Sequence, residues 1–374
     1  METLLNIFNN KFKIYDKTIY FDCHFNEEIN ANICKLFYNY EKIVFMNSKT
    51  YDNYVWNRDP LTSTSLFNKP IKNLPLSIKE IKFGYEFNQL ADNLPPLLTS
   101  LIFGFNFNQP VDNLPPLLLS LKFGSNFNKS VNKLPYFLQN IKFGSKFNQP
   151  VDKLPLFIDN VIFSCVIRPE HQINNLPDSI TELTFNGTIF EPISKIPKML
   201  EKFAMSYTLV YNHSIPIHEN LKHLKISQHF KQKLNLGSNC RLNTLICYFP
   251  YDEQVNLPDT IKSLELYHNN SYLIDNLPNS IEELVLGHWF DLEINNLPNS
   301  IKKLDLTRTK GQLTLDNLPN SIEYLYLPKW WYVKTEINKL PNNIKIVKCE
   351  KSHEFVKKFK KIKKNKKTKL IFYD

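Results

Sequence analysis

Glycine is scarce in this chain, 8 residues against 23 prolines in 374, and neither a glycine-rich phosphate loop nor a nucleophile elbow appears. No catalytic or cofactor-binding residues are therefore expected. Long apolar runs are missing too: none approaches the roughly 18 to 20 residues that a bilayer-crossing helix requires, so no transmembrane segment is expected. The six cysteines, Cys23, Cys34, Cys165, Cys240, Cys247 and Cys349, contain no CxxC pair. Four histidines, His213, His218, His223 and His229, lack the tight spacing of structural zinc ligands, and no metal is expected. The amino terminus has no charged region followed by an apolar stretch and a cleavage site. The expected setting is cytoplasmic or nuclear rather than secreted, with reduced thiols.

Acids are nearly absent from the carboxy terminus. From Phe355 to Asp374 nine lysines meet one acid, so +8 of the formal +10 charge lies in that stretch and +2 in everything before it. A nucleic-acid-binding body is not implied; only the lysine-rich tail would attract phosphates, and its like charges predict an extended segment. What the chain does contain is apolar material, 43% of residues, enough for a continuous core.

That material is periodic. Leu-Pro occurs at Leu74-Pro75, Leu94-Pro95, Leu114-Pro115, Leu134-Pro135 and Leu154-Pro155, 20 residues apart each time. It returns at Leu176-Pro177, Ile196-Pro197 and Ile215-Pro216, then from Leu257-Pro258 to Leu340-Pro341. The long gap between Pro216 and Pro258 predicts a degenerate unit near Leu236-Gly237. After each Leu-Pro comes an LxxLxL pattern, such as Ile78, Ile81 and Phe83 or Ile301, Leu304 and Leu306. Its final alternation has the period of a strand. So short a repeat leaves no room for an ordinary helix, and the fixed proline disfavours one. The expected fold is a right-handed solenoid with a parallel β-sheet on its concave face, an extended or turn-built convex side and little helix outside the amino-terminal region. A second ladder, Phe87-Asn88, Phe107-Asn108, Phe127-Asn128 and Phe147-Asn148, predicts buried phenylalanines stacked coil on coil beside asparagines that bond open backbone groups.

The run FGFNFNQPVDNLPPLLLSLKFG, residues 103 to 124, resembles the FNIP repeat, a leucine-rich-repeat relative of amoebae and of the giant viruses that infect them; if the chain is viral, its location would be the host cell. The resemblance covers about residues 66 to 350 and is closest up to Asp152. It implies a non-enzymatic protein-protein interaction scaffold. FNIP proteins often carry an amino-terminal F-box, so residues 1–65 have two readings. Ile29, Ile33, Leu36 and Phe37 have helical spacing, and Glu41 to Tyr51 loosely resembles the later half of an F-box, although its opening Leu-Pro is missing. This F-box-like reading makes the chain a substrate-recognition adaptor of a cullin-type ubiquitin ligase. The preferred reading makes Lys42 to Phe45 a strand equivalent to Lys79 to Phe83, and the segment a cap for the solenoid. The domains are then a cap or divergent F-box at 1–65, repeats at 66–350 and a lysine-rich tail at 351–374.

Residues one repeat apart are neighbours in a solenoid, so spacing converts to a surface. His268, His288, Arg308 and Lys329 fall into one such column, near Tyr267, Trp289, Tyr324, Tyr326, Trp330 and Trp331, with Glu265 and Asp305 on the sheet face. Aromatics and arginine are favoured interface anchors. The candidate partner-binding residues are accordingly Tyr267, His268, His288, Trp289, Arg308, Tyr324, Tyr326, Trp330 and Trp331, with a protein as partner. The earlier repeats present a plainer face: Glu80, Lys82, Ser100, Ile102, Ser120, Lys122, Asn140 and Lys142.

Overall fold

The computed structural model describes residues 11–47, 64–237, 239–248, 255–310, 313–329, 335–351, 359, 361–362 and 368–373. It comprises two compact units: Met1–Glu191 with Lys195–Leu200, and Pro192–Ser194 with Glu201–Asp374.

Unit 1 opens with an antiparallel hairpin of β1 (Phe12–Tyr15) and β2 (Thr18–Phe21). Asp16 turns it with φ 53°, the left-handed conformation that short hairpin turns favour. A helical turn at Ala31–Cys34 and a 3-10 turn at Lys35–Phe37 lead to β3 (Lys42–Phe45). Then come β4 (Glu80–Lys82), β5 (Ser100–Ile102), β6 (Ser120–Lys122), β7 (Asn140–Phe143), β8 (Asn160–Phe163) and β9 (Glu182–Phe185). From β2 to β9 each strand pairs in parallel with the next. The register carries Ile43 to Ile81, Leu101, Leu121, Ile141, Val161 and Leu183, a fully buried column.

Each repeat is one coil, and three features of its sequence explain why. The proline carbonyl accepts from the amide three residues on, at 3.2 Å for Pro75 and Ile78 and 3.0 Å for Pro95 and Leu98. Leu-Pro thus begins a turn whose two central residues point to solvent and whose fourth residue re-enters the core. Phenylalanines fill that core: Phe67, Phe87, Phe107, Phe127 and Phe147 stack at 6.0 to 6.2 Å. Each is essentially inaccessible to solvent, a burial of roughly 1.5 to 3 kcal/mol per ring. Finally, a Cβ on Gly104 would lie 1.7 Å from the Gly84 carbonyl oxygen. The Phe-Gly position therefore requires glycine, because neighbouring coils touch there backbone to backbone.

Beside the rings the asparagines form a ladder. The backbone amides of Asn88, Asn108, Asn128 and Asn148 each donate to the Oδ1 of the asparagine one coil earlier, all at 2.9 Å. The ladder stops at Asn148, whose Oδ1 is buried without a partner. Position 168 is arginine, and its amide donates instead to His171 Nδ1 at 3.1 Å, while His171 Nε2 bonds the Phe147 carbonyl at 3.1 Å.

Unit 2 repeats the scheme with β10 (Lys202–Met205), β11 (His223–Ile226), β12 (Thr244–Cys247), β13 (Ser263–His268), β14 (Glu283–Trp289) and β15 (Lys303–Asp305). After these come β16 (Leu313–Thr314), β17 (Tyr324–Tyr326), β18 (Thr335–Glu336), β19 (Ile346–Cys349) and β20 (Lys369–Phe372), with β16 and β18 paired apart from the rest. The degenerate repeat is a full coil: Leu234, Leu236, Cys240 and Leu242 are buried ahead of β12. The basic stretch is not wholly an extended tail. Its end pairs in parallel with β19, Val347 opposite Leu370, and Phe359 is buried, because the apolar run Leu370-Ile371-Phe372 supplies one more strand. Of its nine lysines only Lys361 and Lys369 are among the described residues.

The two units differ at the turn tips. After Leu-Pro, the coils of unit 1 from Pro75 to Pro155 carry Leu76-Ser77, Pro96-Leu97, Pro116-Leu117, Tyr136-Phe137 and Leu156-Phe157, and its Pro177 turn carries Asp178-Ser179. Unit 2 carries Asp259-Thr260, Asn279-Ser280, Asn299-Ser300, Asn320-Ser321 and Asn342-Asn343, the usual turn formers. All these tips are exposed or half-exposed.

Candidate functional site

In unit 2 the strand alternation buries Leu224, Leu245, Leu264, Leu284, Leu304, Leu325 and Val347. It therefore turns outward a row running Lys225, Ile246, Glu265, Val285, Asp305, Tyr326 and Lys348. Two residues beyond Glu265, Tyr267 lies across Gly287 of the next coil, where a Cβ would come within 2.5 Å of its ring. The gap left by that glycine lets Arg308, one coil further on, reach back. Its Nη1 donates to Glu265 Oε1 at 2.6 Å and to the Tyr267 hydroxyl oxygen, and that hydroxyl donates to the same carboxylate. The guanidinium sits 5.6 Å from the Tyr267 ring centre, within cation–π range.

Tyrosines extend the patch. Tyr248 packs on Tyr267 at 4.2 Å, Tyr207 meets Tyr248 edge-on at 5.1 Å, and Lys225 Nζ lies 5.2 Å from the Tyr248 ring. Elsewhere on this sheet face Lys303 lies over Tyr326 at 5.4 Å and Lys348 over Tyr373 at 4.9 Å. Burial, reinforced by the hydrogen bond and charge of Glu265, pushes the Tyr267 hydroxyl up, so it stays protonated and keeps donating. Partial burial works to lower the Arg308 pKa, but Tyr267 and Glu265 outweigh it and the net shift is upward.

The histidines are arranged differently from the expected column. A register shift between Leu266 and His268 sets His268 beside Trp289 rather than His288, with ring centres 6.1 Å apart and near parallel. The bulge offsets a ladder that constant spacing assumes to be regular. His288 meets the same indole edge-on at 4.8 Å. Burial lowers the pKa of both imidazoles, with Lys310 adding to the effect at His288, so both are neutral at pH 7. Trp289 is 55% exposed and does not plug the core. Tyr324 and Tyr326 share the outward side of β17, both half-buried. Trp330 and Trp331 lie outside the described residues. The structure thus joins Tyr267 to Arg308 and gathers His268, His288 and Trp289 into a second group. Sequence reasoning missed Tyr207, Tyr248 and Gly287; Tyr248, close to one repeat length before Tyr267, was the readable signal.

Elsewhere the chemistry is sparse. Of the four clustered histidines, His213, His223 and His229 are exposed and His218 is half-buried. Among the described residues one group brings metal-ligand atoms together, Asp22, Cys23 and His24, within 4.8 Å of one another; there Asp22 Oδ1 already accepts from the His24 amide at 2.9 Å. All six cysteines are free and buried, and desolvation pushes Cys165 up to about 12 and Cys349 to about 11. The asparagine columns of unit 1 border an open polar groove of about 850 Å³, with Lys146 and Arg168 at one end. On the sheet face of unit 1, Lys142 has its pKa lowered by burial and by neighbouring Lys122.

The FNIP Repeat family model matches residues 67–106, 89–126, 253–289 and 290–329. No curated protein sequence matches the chain. Among solved structures, the giant-virus protein CroV588, described as a circular leucine-rich-repeat protein, is similar over 95% of this chain and 72% of its own length, at 22% identity and TM-score 0.56. An internalin (inlF) of Listeria monocytogenes is 13% identical over 73% of this chain and 87% of its own, with TM-score 0.37. YopM of Yersinia enterocolitica is 16% identical over 74% and 84%, with TM-score 0.27. No helix among the described residues is long and apolar enough to cross a membrane. Over residues 67–126 and 253–329 the chain carries segments that match the FNIP repeat, and its coils form a leucine-rich-repeat-like solenoid of parallel strands.

Proposed function

We propose that the chain is a non-enzymatic interaction scaffold that binds a protein partner through the outward sheet face of unit 2. The observation that carries this reading is the Glu265–Tyr267–Arg308 group. A charge-assisted network on the surface holds a tyrosine ring and a guanidinium in fixed positions, so binding would immobilise little that is not already ordered. Trp289, exposed, and Tyr324 and Tyr326, half-buried, add aromatic area elsewhere on unit 2. Buried, free cysteines support a reducing cytoplasmic or nuclear setting.

The segment before the repeats supports the cap reading over the ligase adaptor. Strand β3 pairs Lys42 with Glu80 and Ile43 with Ile81, continuing the sheet where an F-box would place helices. The nucleic-acid reading rests on the lysine stretch alone.

The test is affinity capture with the wild type, Arg308→Ala and the sheet-face control Lys122→Ala, retained proteins being identified by mass spectrometry. Arg308→Ala is expected to weaken capture of the partner by about tenfold or more, with Lys122→Ala unchanged. Equal capture by all three would overturn the reading. Retention of a cullin-adaptor subunit, lost on deleting residues 1–65, would favour the ligase alternative.

A further inference from the structure

The turn tips of unit 1 break a rule that the same chain obeys elsewhere. A Leu-Pro turn needs polar, turn-forming residues at its two solvent-facing positions, and unit 2 supplies asparagine, aspartate, serine or threonine at these positions. The five coils of unit 1 from Pro75 to Pro155 put leucine, proline, tyrosine or phenylalanine at nine of these ten positions, Ser77 being the tenth, with Leu76 60%, Tyr136 58%, Leu156 70% and Phe157 53% exposed; the next turn, at Pro177, returns to Asp178-Ser179. Tyr136, Phe137 and Phe157 cluster on the surface, their ring centres 5.0 to 6.1 Å apart. Nothing in the fold demands this apolarity, since the unit 2 coils close without it.

With Leu119 at its flank, the stripe runs over five coils and exposes on the order of 700 Å² of apolar surface, at about half of each side chain. That exceeds the roughly 300 to 600 Å² of the largest patch on an ordinary monomer. It approaches the ~800 Å² that one partner contributes to a stable protein interface.

The charges beside the stripe say what covers it. Its first coil carries Lys72 on one side and Lys79 on the other; its last carries Asp152 and Asp159 in the same two columns. None of the four forms an ion pair among the described residues. We infer that the stripe is the interface of a two-fold homodimer in which two copies pack tip to tip with their coils running in opposite directions. This arrangement sets Lys72 against Asp152 of the second copy and Lys79 against its Asp159. It also opposes small and large tips: Ser77 to Phe157, Pro96 to Tyr136 and Leu97 to Phe137, with Leu117 meeting its own copy near the axis. A pairing with coils in the same direction would set Lys72 against Lys79 and Asp152 against Asp159, which like-charge repulsion forbids. Asp112 near the axis faces its own copy, and Lys153 faces Asn73, so neither forms a pair.

Sedimentation velocity on the full chain tests this independently of unit 2 binding. The wild type is expected to be a dimer at about 10 μM, and Phe137→Asp with Leu156→Asp to be a monomer of unchanged circular dichroism. Should that double variant fail to fold, charge reversal decides. Asp152→Lys is expected to weaken the dimer by about tenfold or more, and adding Lys72→Asp to restore it. A monomeric wild type, a dimer indifferent to Asp152→Lys, or a monomer that instead co-sediments with lipid vesicles would each overturn the inference.

Discussion

The asparagine ladder allows one substitution type to be tried at two chemically identical sites with opposite expected results. Asn128 Oδ1 accepts from the Asn148 amide at 2.9 Å and from Gln149 Nε2 at 3.0 Å. Asn128→Ala removes both bonds and leaves a backbone donor unpaired in a partly buried turn, a cost of about 1 to 3 kcal/mol. Asn148 occupies the same position one coil later, but its Oδ1 accepts from nothing. Asn148→Ala deletes an acceptor that is already desolvated and unpaired, and should change stability by no more than about 0.5 kcal/mol. Global unfolding of a solenoid need not be two-state, so amide hydrogen exchange is the sharper assay. Exchange of the Asn148 amide should accelerate by roughly 5- to 150-fold in Asn128→Ala and stay near wild type in Asn148→Ala. Equal losses in the two variants would refute the ladder as a source of stability and leave it a by-product of coil stacking.

Other consequences follow from the same packing. Gly104→Ala should abolish or severely impair folding, because its Cβ would overlap the Gly84 carbonyl at 1.7 Å. Gly237→Ala meets no atom within 4 Å but must hold φ 63°, and should cost about 1 kcal/mol in urea denaturation. In the native state the six buried thiols should react with Ellman's reagent far more slowly than after denaturation, since burial raises the pKa of Cys34, Cys165, Cys240, Cys247 and Cys349; fast reaction of several would contradict that burial. Burial also raises Tyr211, Tyr267 and Tyr373 in the fold. The unfolded chain then loses these protons first, near pH 10. Their contribution to stability is complete below that pH and falls as pH rises toward the folded values, so the thermal midpoint should drop above about pH 10.

Much of this architecture could be read from the chain. Proline at a constant interval, the LxxLxL pattern and the Phe-Asn pairs each specify a backbone position, and each recurs often enough to exclude coincidence. The degenerate coil at Leu236-Gly237 was legible because the gap it fills is two repeats long. Lateral detail was not. The bulge after Leu266 moved Trp289 beside His268, and spacing alone cannot locate an irregularity in a ladder. Gly287 has no property in the sequence that marks it as the space for Tyr267; only the ring across it does. The apolar tips were visible as LPPLL, LPYFL and LPLFI, but an apolar residue after Leu-Pro reads as core until the turn hydrogen bond shows which positions face solvent. The basic end was read by its charge, and the short apolar run Leu370 to Phe372 proved sufficient to form a strand.

The proposal that unit 2 recognises a protein through its sheet face is tested most directly by lysine footprinting of the isolated complex, comparing acetylation with and without the captured partner. Lys225, Lys303 and Lys348 lie on that face, whereas Lys82, Lys122 and Lys142 lie on the outward sheet face of unit 1. The account predicts that the partner protects the first three and leaves the second three as reactive as in the free chain. Protection of the unit 1 lysines with Lys225, Lys303 and Lys348 unchanged would contradict it.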